Sequence, residues 1–355
     1  MQTKMPHVVA VVALTVNFLM GCTSFSRTPD IALVDIITGQ ATKHPSFASM
    51  RQVVVSVDDA SHSFRTMFRE GDHLVLRTLD YECREQNRRQ MPLFKEGCCG
   101  GEGWSMAPDA GRLVYLKEST RDLCLLELPS SQETVLCTNL ASFDLHVPFV
   151  KWLSANEILM TLLDEVTVNG PDNLIFVLDV TTKIRRTLAT PVSLSSFDYS
   201  LSPDRQRLAY WEDKTGRSVG QDERINVLDV QSGSVLVSLA ADKDEHVSRP
   251  CWSPDSKTIG YFSGQKIILY SLETHASRTL TTLDKDTISY ALTIGQGVVV
   301  FQGGKRNERL HGWDPIPLIV YDLQTGKPTR EIDVGVNGKM IPVDNGRSLL
   351  CETGY

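Results

Sequence analysis

A short pattern that returns seven times constrains this chain more than any other feature. Its clearest copy is Trp252-Ser253-Pro254-Asp255, followed by the apolar Thr258-Ile259-Gly260-Tyr261-Phe262. Proline presets φ, and the Asp carboxylate can accept from backbone N–H groups just beyond it, so Pro254-Asp255 predicts a tight turn between two strands. A second apolar run over 266–272 and a polar strand ending Arg278-Thr279-Leu280 complete a unit of four short strands. Pro108-Asp109, Pro203-Asp204 and Trp152-Leu153-Ser154-Ala155 each precede an equivalent apolar strand, and weaker copies lie near Ala60, Ile294 and Asp344. The anchors at 60, 108, 154, 203, 254, 294 and 344 stand between 40 and 51 residues apart.

A second mark alternates with the first. Ile225-Asn226-Val227-Leu228-Asp229-Val230-Gln231-Ser232-Gly233 has close relatives at 31–39, 175–183 and 318–326. Looser copies lie at 123–131 and 267–275, and a degenerate one at 74–80. Positions 35, 80, 127, 179, 229, 271 and 322 hold Asp, Asp, Glu, Asp, Asp, Ser and Asp. Two independent marks alternating at this period predict an all-β chain: a seven-bladed β-propeller of four-stranded antiparallel blades. A single such sheet cannot bury both faces and needs neighbours. The recurring Asp is read as satisfying turn N–H groups, with Gly39, Gly233 or Gly326 supplying positive φ, rather than as a ring of ligands.

These motifs resemble the TolB-type family of WD-like propeller repeats, most closely at 252–262 and next at Pro203-Asp204 and Pro108-Asp109. The resemblance covers the chain beyond its first residues, as a repeat type. That family usually has Gly after Pro-Asp, where this chain has Ser256, Arg205 and Ala110. It includes binding modules, the propeller half of some peptidases and some enzymes, so it implies the fold much more than an activity.

The two ends each carry half a repeat. Residues 31–36 form a third-position strand with no first or second strand before it, and 339–343 with 348–351 supply a first and second strand. The last blade is therefore expected to be closed by N- and C-terminal strands, which removes both open sheet edges.

Residues 1–21 stand outside the fold. Lys4 precedes an apolar run over 8–20 that suits a secretory signal and is short for a membrane span. Leu19-Met20-Gly21-Cys22 resembles the lipobox of bacterial lipoprotein signals. That resemblance implies cleavage before Cys22 and its acylation; the alternative is an ordinary secretory signal with a chance cysteine. The organisation read from this is a signal peptide over 1–21, a lipidated tether over 22–29 and the propeller over 30–355. Each buried acyl CH₂ contributes about 0.8 kcal/mol, so a lipid bilayer would hold the protein through Cys22 without a span. Thr23, where an Asp would direct inner-membrane retention, implies by the same resemblance a place in the cell envelope, at the outer membrane if there is one.

The formal net charge of −7 disfavours nonspecific nucleic-acid binding. No stretch clusters Lys and Arg with aromatics, and the basic run over 84–89 reads as an exposed edge strand. Beyond Cys22 seven cysteines remain. With Ser130-Ser131 as a two-residue turn, Cys124 and Cys137 would lie directly opposite and form a cross-strand disulfide. Cys83 is placed to reach Cys98 or Cys99, and an odd count leaves at least one thiol free. Cys98-Cys99 has no second Cys/His pair at ligand spacing, so neither a metal site nor a cofactor is expected.

Catalytic patterns are weak. Gly216-Arg217-Ser218-Val219-Gly220 matches the nucleophile elbow by letter, but lies in a polar loop between strands instead of a strand-to-helix turn. The histidines, including His44, His62, His73, His146, His246, His275 and His311, show no triad or metal spacing. The chain is accordingly read as a binding protein without catalytic residues. Loop length points to one face. The connections between strands two and three are longest at 163–173, 211–224 and 303–317, and share a face with the blade-to-blade connections. Trp211, Arg217, Arg306, Arg309, His311 and Trp313 are the candidate anchors of a binding face, since Trp and Arg dominate interface energetics; the alternative packs Trp211 and Trp313 between blades. The leading expectation is a membrane-anchored scaffold for an envelope protein or peptide partner. The others are a small-molecule or carbohydrate sensor, and a lyase- or glycosidase-type enzyme, each using the central channel.

Overall fold

The computed structural model describes residues 31–44, 53–58, 61–70, 73–82, 84–92, 104–109, 111–117, 120, 122–128, 130–138, 140, 149–167, 170–191, 199–213, 222–241, 245–307, 312–315, 317–333, 340–343 and 346–352. They form seven antiparallel sheets and no α-helix.

Blade one is Val53–Asp58, Ser63–Glu70, His73–Asp80 and Glu85–Pro92. Blade two is Trp104–Met106, Arg112–Lys117, Asp122–Glu127 and Gln132–Cys137. Blade three is Val150–Trp152, Glu157–Thr167, Gly170–Asp179 and Arg185–Ala189. Blade four is Tyr199–Leu201, Arg207–Asp213, Glu223–Asp229 and Val235–Ala240. Blade five is Val247–Trp252, Thr258–Ser263, Lys266–Ser271 and Ala276–Thr282. Blade six is Thr287–Ile294, Val298–Asn307, Leu318–Asp322 and Pro328–Ile332, with Gly312–Pro315 added beside its second strand. Blade seven joins the two ends of the chain. Met340–Val343 and Ser348–Glu352 pair with Ile31–Asp35 and Ala41–His44, and Leu33 lies opposite Leu350.

The core is divided the same way. Seven apolar clusters fill the seven gaps between successive blades, and the cluster of Phe64, Leu79, Val343 and Leu350 joins blade seven back to blade one. The ring is therefore a seven-bladed β-propeller. Strands two and three have a neighbour on each edge and a blade on each face. They consequently read as continuous apolar runs such as Leu113-Val114-Tyr115-Leu116, all buried. Fourth strands are exposed along most of their length, and the basic run of blade one lies on such a strand.

The recurring marks explain the turns. Asp35, Asp179, Asp229 and Asp322 each accept backbone N–H groups of the turn that follows, as Asp179 does from the Thr182 N–H at 2.7 Å. Gly39, Gly233 and Gly326 follow at positive φ, and in three other copies Ser131, Lys183 and His275 hold the same position at φ 52–60°. At the other mark, Ser253 Oγ donates to Asp255 and accepts from the Thr258 N–H, and Ser202 repeats this with Asp204 and Arg207. Arg205 and Ser256, standing where the resembled family has Gly, take φ of 60° and 61°.

Neighbouring blades are also tied by directed bonds. Arg186 on the outer strand of blade three donates to the Val230 and Gln231 carbonyls in the next blade's turn, at 3.1 and 2.8 Å. Arg89, Arg278 and Arg330 reach Leu128, Leu323 and Ile37 in the same way. Arg186-Thr187-Leu188 and Arg278-Thr279-Leu280 thus repeat one tripeptide at one structural position.

The expected Cys124–Cys137 disulfide is absent, and both thiols are free and buried. Two features cause this. The turn spans residues 128–131, since Glu127 pairs with Gln132, and this places Val135 opposite Cys124. A bulge between Val135 and Cys137 then turns Cys137 to the other face of the sheet. Cys124 packs toward blade one and Cys137 toward blade three. In five other blades the pairing of strands three and four also carries a bulge, which no periodicity in the sequence announces. Cys83 and Cys98 lie outside the described residues.

Candidate binding face

Strand direction divides the propeller into two faces. One holds the turns between strands one and two and between three and four; it is built from the closed Asp and Ser turns above. The other holds the hairpins between strands two and three and the blade-to-blade connections. This connection face is the one to which loop length points.

Two of the three long connections prove to be hairpins. In blade three, pairing continues from Met160–Phe176 out to Thr167–Gly170, while the inner strand stops opposite Met160 at Val150. Residues 163–167 and 170–173 therefore extend the sheet. In blade six, Val298–Asn307 pairs with Gly312–Pro315, placing Arg306 opposite Trp313. In blade three the projecting strands outrun their neighbours and have no further ladder partner among the described residues, while in blade six the inner strand keeps pace as far as Thr287 opposite Lys305 and Gly312–Pro315 is the strand paired on one side alone. Such edges are the usual basis for strand addition.

Of the remaining candidate anchors, Trp211 lies in the second strand of blade four, half-buried and packed on the cluster between blades four and five. It is thus a packing residue, the alternative stated for it above. Arg217, Arg309 and His311 lie outside the described residues.

Sequence reasoning overlooked a buried polar group where the connection face meets the junction of blades four and five. Asp213 and Glu223 are opposite one another on adjacent strands. They share the face that carries Ala209, Ile225 and Val227 toward blade five, and both are buried, Asp213 completely. Glu223 Oε2 accepts the Val247 N–H at 3.1 Å, and its Oε1 lies 2.8 Å from His246 Nδ1. One carboxylate so fixes the first residues of blade five against blade four. The His246 ring is 67% exposed while Glu223 is 5% exposed. A carboxylate can only accept here, so Nδ1 carries the proton in this contact. Beside it, Glu245 accepts from Lys266 at 3.0 Å and from Ser263 at 2.9 Å.

On the opposite side of blade four, Asn226 donates to Glu212 at 2.7 Å and accepts from Ser238 at 2.6 Å, a polar chain across three strands. Sequence gave no warning of these groups because Asp213 and Glu223 are separated by a connection whose length alone sets their pairing. Among the described residues no group of three or more His, Cys, Asp or Glu side chains is arranged to hold a metal ion.

The inner strands have irregularities of their own. In blade five the pairing slips between Ser248 and Cys251, and Arg249 takes φ of 53°. In blade six the slip between Ser289 and Ala291 makes Tyr290 the extra residue. Bulges re-aim side chains, and both residues stay partly exposed along the channel edge of their sheets.

No family model matches the chain, and no curated protein matches it. Solved structures do. An oligogalacturonate lyase in complex with manganese aligns over 93% of this chain and 97% of its own, with 14% identity and a TM-score of 0.60. An oligogalacturonate lyase from Vibrio parahaemolyticus aligns over 90% and 89%, with 13% identity and a TM-score of 0.57. TolB from Acinetobacter baumannii aligns over 81% and 65%, with 16% identity and a TM-score of 0.42. At these identities the likeness establishes the fold alone. The propeller expected from the repeats is present.

Proposed function

We propose that this propeller is a binding scaffold, anchored to lipid through Cys22 in the cell envelope, which recognises a protein or peptide partner through its connection face. The observation that carries this reading is the pair of hairpins in blades three and six. They stand on the one face whose backbone edges are not closed by the turn devices of the repeat. Extended segments bind such edges through main-chain bonds, with selectivity supplied by side chains beside the added strand. The partly exposed Lys266 and exposed His246 add polar contacts near the rim of that face.

The test is site-specific photocrosslinking in intact cells, with the photoreactive residue at Lys285 on the connection face or at Gln324 on the turn face. A discrete adduct from the first position and none from the second supports the reading. Adducts from the turn face alone overturn it.

A second reading, a carbohydrate sensor or lyase using the central channel, is favoured by the solved structures of oligogalacturonate lyases and by Arg249 and Tyr290 on the inner strands. Turnover or saturable binding of oligogalacturonate by the purified protein, lost on Arg249→Ala, would establish it in place of the first.

A further inference from the structure

The direction of one strand sets how an anchored propeller would stand on its membrane. Ile31 begins the third strand of blade seven, opposite Glu352, and the strand then runs to Asp35, opposite Ser348. Ser348 follows the turn between strands one and two, where it pairs with Val343. Asp35 therefore lies on the turn face and Ile31 on the connection face. The chain arriving from Cys22 enters the fold on the same face that carries the two hairpins.

Eight residues, and so nine Cα-to-Cα steps, separate Cys22 from Ile31, a reach of at most about 30 Å when fully extended. Leaving straight from the connection face, the tether can use all of that length to span the gap to the bilayer. To present the turn face instead, it must first run back along the blade, a strand length of about 17 Å for five residues. That consumes more than half of the reach. The hairpin of blade three adds a second constraint. Blade three lies across the ring from blade seven, and Leu162 to Thr167 extends about 20 Å beyond the end of its inner strand. The entry point at Ile31 and the hairpin thus lie on opposite sides of one face, and the hairpin's projection falls within the greatest length the tether could span.

Resting on the anchor reading above, we infer that the connection face is turned toward the phospholipid headgroups, with the turn face directed away from the membrane. The partner that this face fits is then one held at or in the same membrane. A freely diffusing partner would have to enter a gap no wider than the tether.

The experiment uses the full chain, produced in a bacterium that processes lipoproteins and reconstituted in vesicles of phosphatidylethanolamine and phosphatidylglycerol that carry a headgroup energy acceptor. A fluorescent amino acid replaces Lys285, exposed in the connection between blades five and six, or Gln324, exposed in the turn after the third strand of blade six. The two positions are separated by about the height of a blade, ~20 Å, so energy transfer to the lipid is expected to be about twofold higher from position 285. Equal transfer, or higher transfer from 324, on protein whose acyl mass at Cys22 has been verified overturns the orientation and leaves the anchor standing. Absence of acyl mass and of vesicle flotation overturns the anchor, and the orientation with it. Insertion of ten Gly/Ser residues after Thr23 should erase the difference while keeping the protein on the vesicles. A difference that survives the insertion would mean that something other than the tether sets the stance, and would also overturn the inference.

Discussion

The indole Nε1 of Trp252 donates to the Ser200 carbonyl, 2.8 Å away on the inner strand of the preceding blade. Trp152 makes the same bond to Ser105 at 2.9 Å. The tryptophan of the repeat is thus a blade-to-blade fastener as well as core. Trp252→Phe keeps most of the apolar burial and takes this donor from the part-buried Ser200 carbonyl. It should lower unfolding free energy by about 1–3 kcal/mol. Trp152→Phe should cost a similar amount. The two lie in different interfaces, so their effects should add. Chemical denaturation with an unchanged m-value would check both; a cost below the error of the midpoint would contradict the assignment.

Arg205 and Gly326 make opposite predictions from one conformational argument. Arg205 takes φ of 60° with its side chain exposed, so Arg205→Gly should stabilise by about 0.5–1 kcal/mol. Gly326 takes φ of 67°, and a Cβ there would run into the Leu280 carbonyl of the preceding blade. Gly326→Ala should therefore destabilise by about 1–3 kcal/mol. Thermal midpoints of the two variants, moving in opposite directions, are the measurement.

Asp179, Asp229 and Asp322 are held below the ordinary carboxylate range, first of all by backbone N–H bonds from Thr182, Ser232 and Thr325. A depressed folded pKa contributes stability that is complete above the unfolded value of 3.8 and is lost as pH falls through the lower folded values. Stability should be flat in these groups from neutral pH to about 5 and fall below about 4. Replacing all three by Asn retains the acceptor oxygen and should make the decline below pH 4 shallower. Urea midpoints at pH 7 and pH 3 distinguish the outcomes.

The thiols Cys124, Cys251 and Cys351 should resist alkylation at pH 8 in the native protein. Burial pushes Cys124 up to about 11 and Cys251 and Cys351 up to about 12, and the thiolate is the reactive form. Labelling should follow the rate of unfolding and reach completion in denaturant without a reductant. Cys124 or Cys137 recovered unlabelled from the denatured, unreduced protein would mean that they do pair.

Much of this protein is written in order along the chain. The spacing of the Pro-Asp and Asp-x-x-Thr/Ser-Gly marks determines four strands per unit and seven units, because each mark is a turn made by residues within a few positions of one another. The half-repeats at either end determine that Ile31–Asp35 shares a sheet with Ser348–Glu352, because no other partner completes either half. What the tertiary structure decided depends on residues far apart in sequence or on local register. A bulge at one outer strand separates Cys124 from Cys137. The continuation of the blade-three hairpin turns an expected loop into projecting strands. The pairing of Asp213 with Glu223 creates a buried acidic group that fixes His246, with no motif to mark it. Turn chemistry is local and so can be read residue by residue. Register and burial are settled only when sheets pack on sheets, where one inserted residue exchanges the two faces of a strand.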